Sequence, residues 1–192
     1  MKKVLCILLA LVSLVFAGTF AACSSDDTII VQTNAYFAPF EYFDDGKIVG
    51  VDVDIMNKVG EKMGKKVKFK HGEFGIIIDT VSKGKTADVG AAGITITDAR
   101  KEKVDFSVPY YTSVQYVIWE GDAFTTSKAT DGKDVVLWEQ LAGKKIGVQT
   151  DTTGMIYVQG EINKDEGFDG VLFESRAQCT PYNNAQLAVE AM

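Results

Sequence analysis

The chain has 192 residues, a formal net charge of −6, 46% hydrophobic residues, three cysteines and one histidine. The acidic balance argues against nucleic acid as a partner and gives no electrostatic attraction to anionic lipid. So few cysteines and histidines leave no material for a disulfide framework or a metal cluster, and the lone His71 is expected on the solvated surface.

Lys2 and Lys3 precede an apolar run from Val4 to Phe16, interrupted only by Ser13. The run is too short to span a bilayer, which takes about 20 apolar residues. A charged start, a short apolar centre and the small pair Ala21-Ala22 predict a secretory signal peptide over 1–22. Cys23 follows that pair as in a bacterial lipobox, with Phe20 where Leu is usual, so lipidation at Cys23 is expected. Residues 23–27 then form a short polar tether between lipid and domain. With Cys6 removed and Cys23 lipidated, Cys179 has no partner.

The remaining pattern alternates short apolar runs with amphipathic stretches, which predicts an α/β fold. Thr28 to Gln32 is β-branched and predicts a strand. Asn34 to Phe40 is a loop with a turn at Pro39, and Glu41 to Val49 is a hairpin around Asp44-Asp45-Gly46. A helix follows, with Asp52 as candidate N-cap, an apolar stripe of Val51, Ile55, Met56, Val59 and Met63, and Gly64 at its end. Lys66 to Lys70 alternates and predicts a half-buried strand. Phe74 to Lys83 is a helix closed by Gly84, and Asp88 to Ala92 is a small-residue strand. Thr112 to Trp119 is a long extended run able to pass between lobes. Glu120 to Val135 is a loop with a turn at Asp131-Gly132. Leu137 to Leu141 is a short helix closed by Gly143, Lys145 to Val148 a strand, and Thr150 to Thr153 opens another helix. Val171 to Phe173 is expected as a strand, and Asn183 to Met192 as the start of a helix.

Residues 92–108 carry the strongest chemical signal. The strand end Ala92-Gly93-Ile94-Thr95 runs into Thr97, which can cap a helix carrying Arg100. Backbone N–H groups, two hydroxyls and a guanidinium converge there. Arg binds a carboxylate through two parallel charge-assisted bonds, and a helix N-terminus adds partial positive charge. The segment alone leaves a second reading open, in which Thr97 only caps and Arg100 pairs with a surface carboxylate.

The order of these features resembles the extracellular solute-binding proteins of the polar amino-acid type, which serve ABC importers. The resemblance covers nearly all of residues 28–192. It rests on Asn34-Ala35-Tyr36-Phe37-Ala38-Pro39-Phe40-Glu41-Tyr42, Gly50-Val51-Asp52-Val53-Asp54, Gly93 to Arg100, Val104-Asp105-Phe106-Ser107 with Tyr110-Tyr111, and Gly143 to Val148 with Thr152-Thr153-Gly154. It implies a two-lobe, periplasmic-binding-protein-like fold, with lobe one over 28–111, a hinge crossing over 112–119 and lobe two over 120–192. It also implies site roles. Arg100 would hold the α-carboxylate of an amino acid. Ala92, Gly93 and Thr95 would receive its ammonium and carboxylate, and Phe37 and Phe74 would sandwich its side chain. Thr152 and Thr153 would clamp the carboxylate from lobe two, and Asn34 and Gln149 would line the specificity end. Asn34 stands where relatives that bind cationic side chains often have Asp, which favours a polar neutral amino acid such as glutamine or cystine.

The family normally continues for several tens of residues past the position of Met192, so an incomplete second lobe and weak binding by this chain are expected. The resemblance implies no cofactor, no metal, no catalytic residue, a membrane permease as partner, a lipid anchor and a monomer. Two other classes compete with it. A cyclohexadienyl-dehydratase-like enzyme would need an acid/base pair in the cleft, and Glu41, Glu73 and Asp98 are expected at surface or cap positions. A ligand-sensing module would need a spanning helix, and none is visible before Met192.

Overall fold

The computed structural model describes residues 27–192. The expected signal peptide, Cys23 and most of the tether lie outside the described residues.

Two α/β lobes are present, each built on a parallel sheet. In the first, β1 (Thr28–Thr33) is the central strand, between β5 (Lys66–His71) and β6 (Val89–Gly90). Parallel central strands are covered on both faces, and β1 accordingly buries residues of both its faces. Ile29 and Val31 pack with Met56, and Val67, Phe69, Val89 and Ala91 close around them. The last residues of β1 and the one after it, Gln32, Thr33 and Asn34, are polar and buried, which is the first structural sign of a site at the carboxyl end of this sheet.

The hairpin predicted over 41–49 forms from β3 (Glu41–Asp44) and β4 (Lys47–Val49). Asp45 and Gly46 both take positive φ, the two-residue turn that Asp-Gly favours. A two-residue strand, β2 (Tyr36–Phe37), pairs with β3 inside the segment expected to be a loop.

Helix α1 (Val51–Met63) ends before Gly64 as expected, but begins earlier than an Asp52 N-cap would set and presents a different face. Its N-cap is Gly50, not Asp52. Asp52, Val53, Met56 and Gly60 are its buried residues, while Val51, Ile55, Val59 and Met63 are exposed. Gly60 is the cause: a Cβ there would collide with Val67, so the glycine lets the helix press onto β5 and turns the apolar stripe partly outward. Helix α2 (Ile77–Lys83) follows a 3-10 turn at Phe74–Ile76 and ends at Gly84, and α3 (Asp98–Lys101) is capped by Thr97 as predicted.

Residues 104–119 contain no helix or ladder, and Val114, Tyr116 and Ile118 of the expected crossing run are exposed. The stretch 120–135, expected as a loop, contains a small hairpin, β7 (Ser127–Lys128) with β8 (Asp134–Val135). In the second lobe β9 (Lys145–Gln149) pairs in parallel with β10 (Gln178–Tyr182). Helix α4 (Thr153–Asn163) follows β9, and α5 (Ala185–Glu190) follows β10. The second core gathers Leu141, Leu172 and Ala177 with Phe124, Trp138, Ile146 and Ile162. The strand expected at Val171 to Phe173 is instead a series of turns. Gly170, Glu174 and Arg176 all take positive φ there, and the Val171 N–H donates to the buried Glu161 carboxylate at 2.8 Å instead of to a neighbouring strand. Strand β10 has no counterpart among the expected elements; it is polar and holds Pro181, which only an edge tolerates.

Candidate functional site

The site is assembled from strand ends. Asn34 follows β1, is buried, and donates from Nδ2 to the Gly72 carbonyl oxygen at 2.8 Å. Because a carbonyl can only accept, this bond fixes the amide orientation and turns Oδ1 toward the second lobe. There it accepts from Nε2 of Gln149, at the end of β9, at 3.1 Å. The two residues expected at the specificity end therefore meet across the lobes.

The segment after β6 turns sharply. Ala92 is buried, and Gly93 takes φ +56. Its N–H donates to Oδ2 of Asp52 at 2.8 Å. A Cβ on Gly93 would lie 2.9 Å from the ring of Phe37, so the aromatic closes directly on the glycine. Phe37 itself is nearly half exposed and stacks on Phe40, centroids 5.2 Å apart. Phe74 is half-buried and carries the Arg100 guanidinium over its ring at 5.6 Å.

Arg100 sits at the meeting of the lobes. One terminal nitrogen donates to the Thr95 carbonyl at 2.8 Å, the other to the Asp151 carbonyl at 2.9 Å. Burial draws the guanidinium below its ordinary pKa, opposed by the nearby Asp151 carboxylate. Among the described residues it forms no salt bridge, so the surface-pair reading is not what the structure adopts. A partly desolvated fork thus faces only neutral acceptors. Asp151 takes φ +60, and a Cβ on Gly75 would strike its carboxylate. The second lobe also supplies Thr153, whose hydroxyl meets the Thr95 hydroxyl at 2.8 Å. Thr152 turns the other way: its hydroxyl donates to the Gln149 carbonyl at 2.7 Å and accepts from Met155 N at 3.5 Å, capping α4. Beside Phe74 a cavity of about 270 Å³ is lined by Glu73, Gly75, Thr150, Asp151 and Asn183 among others.

Three residues behind this floor escape the sequence reading. Asp52 is 2% exposed and accepts from Gly93 and, at 2.7 Å, from the Tyr110 hydroxyl. Glu41, expected at the surface, is 1% exposed. Burial first, and the adjacent Asp52 charge second, push its carboxyl up to about 10. Burial and Asp52 also push the Tyr110 phenol up. A signal for Asp52 exists: positions 52, 53, 56 and 60 lie on one helix face, so a carboxylate shares the stripe of Val53 and Met56. His71 is exposed as expected, but its Nδ1 accepts from Ala35 N–H at 3.1 Å, bracing the loop that carries Asn34.

Residues 29–165 match the family described as bacterial extracellular solute-binding proteins, family 3. The chain is 36% identical over 137 residues to a probable histidine-binding protein of Neisseria gonorrhoeae, covering 70% of this chain and 47% of that one. It thus spans about half the length of that curated relative. Among solved structures, an ancestral arginine-binding protein bound to arginine superposes with TM-score 0.65 at 31% identity, over 85% of this chain and 64% of that one. An ancestral amino-acid-binding protein that is a precursor of cyclohexadienyl dehydratase superposes with TM-score 0.64 at 28% identity, over 86% and 65%.

Proposed function

The chain belongs to the bacterial extracellular solute-binding proteins of family 3, and from that premise we propose that it captures a free polar amino acid between its lobes and delivers it to an ABC permease. We place lobe one at 28–111 and lobe two at 120–192, joined by 112–119. The single observation that carries the reading is Arg100, a guanidinium partly withdrawn from water at the lobe junction, with both arms of its fork on neutral carbonyls. A ligand α-carboxylate offers the same fork two anionic acceptors, and charge-assisted bonds are roughly twice as strong as neutral ones. Gly93, Thr95 and Thr153 stand where they can complete the carboxylate and ammonium contacts, while Phe37 and Phe74 offer apolar area for the side chain. Asn34 and Gln149 supply a neutral, hydrogen-bonding end, which supports a neutral polar ligand such as glutamine. Lipidation at Cys23 would tie the domain to the outer face of the cell membrane.

A second reading of the ligand has its own support. Glu73 and Asp151 both line the cavity beside Phe74, a setting that suits a cationic side chain, and the similar proteins include ones named for histidine and arginine. Isothermal titration of the chain with glutamine, histidine and arginine decides between the two. Binding of one of them, lost by about 10- to 100-fold in Arg100→Ala, is expected from the removal of a charge-assisted pair of bonds. Failure of every amino acid to bind, or equal binding by Arg100→Ala, overturns the reading. We also propose that the chain is a carrier and not an enzyme; turnover of a prephenate-like acid by the purified protein would refute that.

A further inference from the structure

We propose that Asp52 is a positioning residue for the binding site, holding the turn at Gly93 and the start of the inter-lobe passage at Tyr110 in one fixed arrangement. The inference rests on the reading above, since it concerns the floor on which the amino acid would lie.

The geometry is specific. Asp52 lies in the first turn of α1, 2% exposed, and its two oxygens take two different donors: Oδ2 the Gly93 N–H and Oδ1 the Tyr110 hydroxyl. The first donor belongs to a glycine at φ +56, one of the many backbone states open to a residue without a Cβ, so the carboxylate selects one arrangement among them. The second belongs to the segment leading from the first lobe toward the second. One carboxylate therefore ties three elements that are far apart in sequence. Two acceptor oxygens are required for this. An amide at position 52 has only one, and would turn an NH₂ group against a donor.

Glu41 completes the argument. It is buried beside Asp52, and neither of its oxygens has a hydrogen-bond partner of good geometry. Two buried carboxyls side by side do not both ionise. Burial and the adjacent Asp52 push the Glu41 carboxyl up, so Glu41 is the one that keeps the proton. A neutral Glu41 leaves Asp52 free to accept from both Gly93 and Tyr110.

The test uses the full chain, amide hydrogen exchange at Gly93, and titration with the amino acid that binds. Asp52→Asn is expected to speed exchange at Gly93 by about 10-fold or more and to weaken affinity by about 10- to 100-fold, the worth of a hydrogen bond to a charged group. Tyr110→Phe removes one donor only, and is expected to cost about 3- to 10-fold in affinity with a smaller rise in exchange. Leu172→Ala, a buried change in the second core and remote from the turn, controls for general destabilisation and should lower the melting temperature without moving affinity. Unchanged Gly93 exchange in Asp52→Asn, or unchanged affinity with the wild type binding, overturns the proposal. If the wild type binds no amino acid, the functional reading fails by itself, and Gly93 exchange still judges the hold of Asp52. If Asp52→Asn does not fold, Tyr110→Phe decides: an exchange rate and an affinity equal to wild type overturn the proposal.

Discussion

Replacing Glu41 with glutamine should flatten much of the pH dependence of stability. In the folded chain burial and the neighbouring Asp52 hold the Glu41 carboxyl at about 10, against 4.5 for an ordinary glutamate. The native state therefore keeps a proton that the unfolded chain releases. The stabilisation from that proton is fully present below about pH 4.5 and is lost as pH rises toward about 10. Within the window the slope is about 1.4 kcal/mol per pH unit. From about pH 6 to about pH 9 the wild type should lose about 4 kcal/mol, a large part of the 5–15 kcal/mol by which domains are usually stable. The amide of the Glu41→Gln variant is neutral throughout and close in shape to the protonated acid, so the variant should gain on the wild type by that slope. The assay is urea unfolding of both proteins, followed by far-ultraviolet circular dichroism at several pH values. Titrating groups distant from Glu41 are common to both and cancel in the difference, so the slope reads Glu41 together with its neighbours Asp52 and Tyr110. A difference in unfolding free energy that stays constant between about pH 6 and about pH 9 would refute the reasoning, because it would mean that Glu41 is already ionised or equally protonated in both states.

Two further outcomes follow from the site. Gly93→Ala combines φ +56 with a Cβ 2.9 Å from the Phe37 ring; thermal unfolding should show a loss of about 1–3 kcal/mol, and calorimetry a weaker ligand, while retention of both would show that the turn relaxes freely. Asn34→Asp sets a carboxylate against the Gly72 carbonyl now bonded at 2.8 Å; competition titration should show preference moving toward arginine over glutamine by about 10-fold or more, the scale of one well-placed charge, and an unmoved preference would remove position 34 from the specificity end.

The periodic elements are legible in the sequence because each is specified locally. Thr28 to Gln32, Lys66 to Lys70, the Asp45-Gly46 turn and the Thr97 cap all appear where their residue chemistry places them. The helix bounds at Gly64 and Gly84 follow from the same local logic. What is not legible depends on partners distant in the chain. The rotation of α1 is set by Gly60 against Val67, and the burial of Glu41 by Asp52 and the surrounding packing, neither of which local pattern reports. Val171 to Phe173 is too short an apolar run to declare its own conformation, and β10 exists because β9 offers it an edge. In the site, Arg100, Thr95, Thr153, Asn34 and Gln149 converge, while Thr152 serves mainly as the cap of α4. The support beneath them, Asp52 with Tyr110, lies on a helix face that the stripe of Val51, Ile55 and Val59 draws attention away from.

The strand order β5-β1-β6 has a consequence for how the protein is made. The earliest strand of this sheet stands in its middle, and its second neighbour ends at Gly90. At the usual 5–20 residues per second, β1 waits roughly three to eleven seconds after synthesis for that neighbour. Until β5 is made, Ile29 and Val31 have no sheet to enter, and until Gly90 is made one edge of β1 stays unpaired. A chain arranged this way keeps its first sheet incomplete until nearly half of it has been made. Once Gly90 is out, every strand of the first sheet is available, and that lobe can close before the residues of β9 have been synthesised.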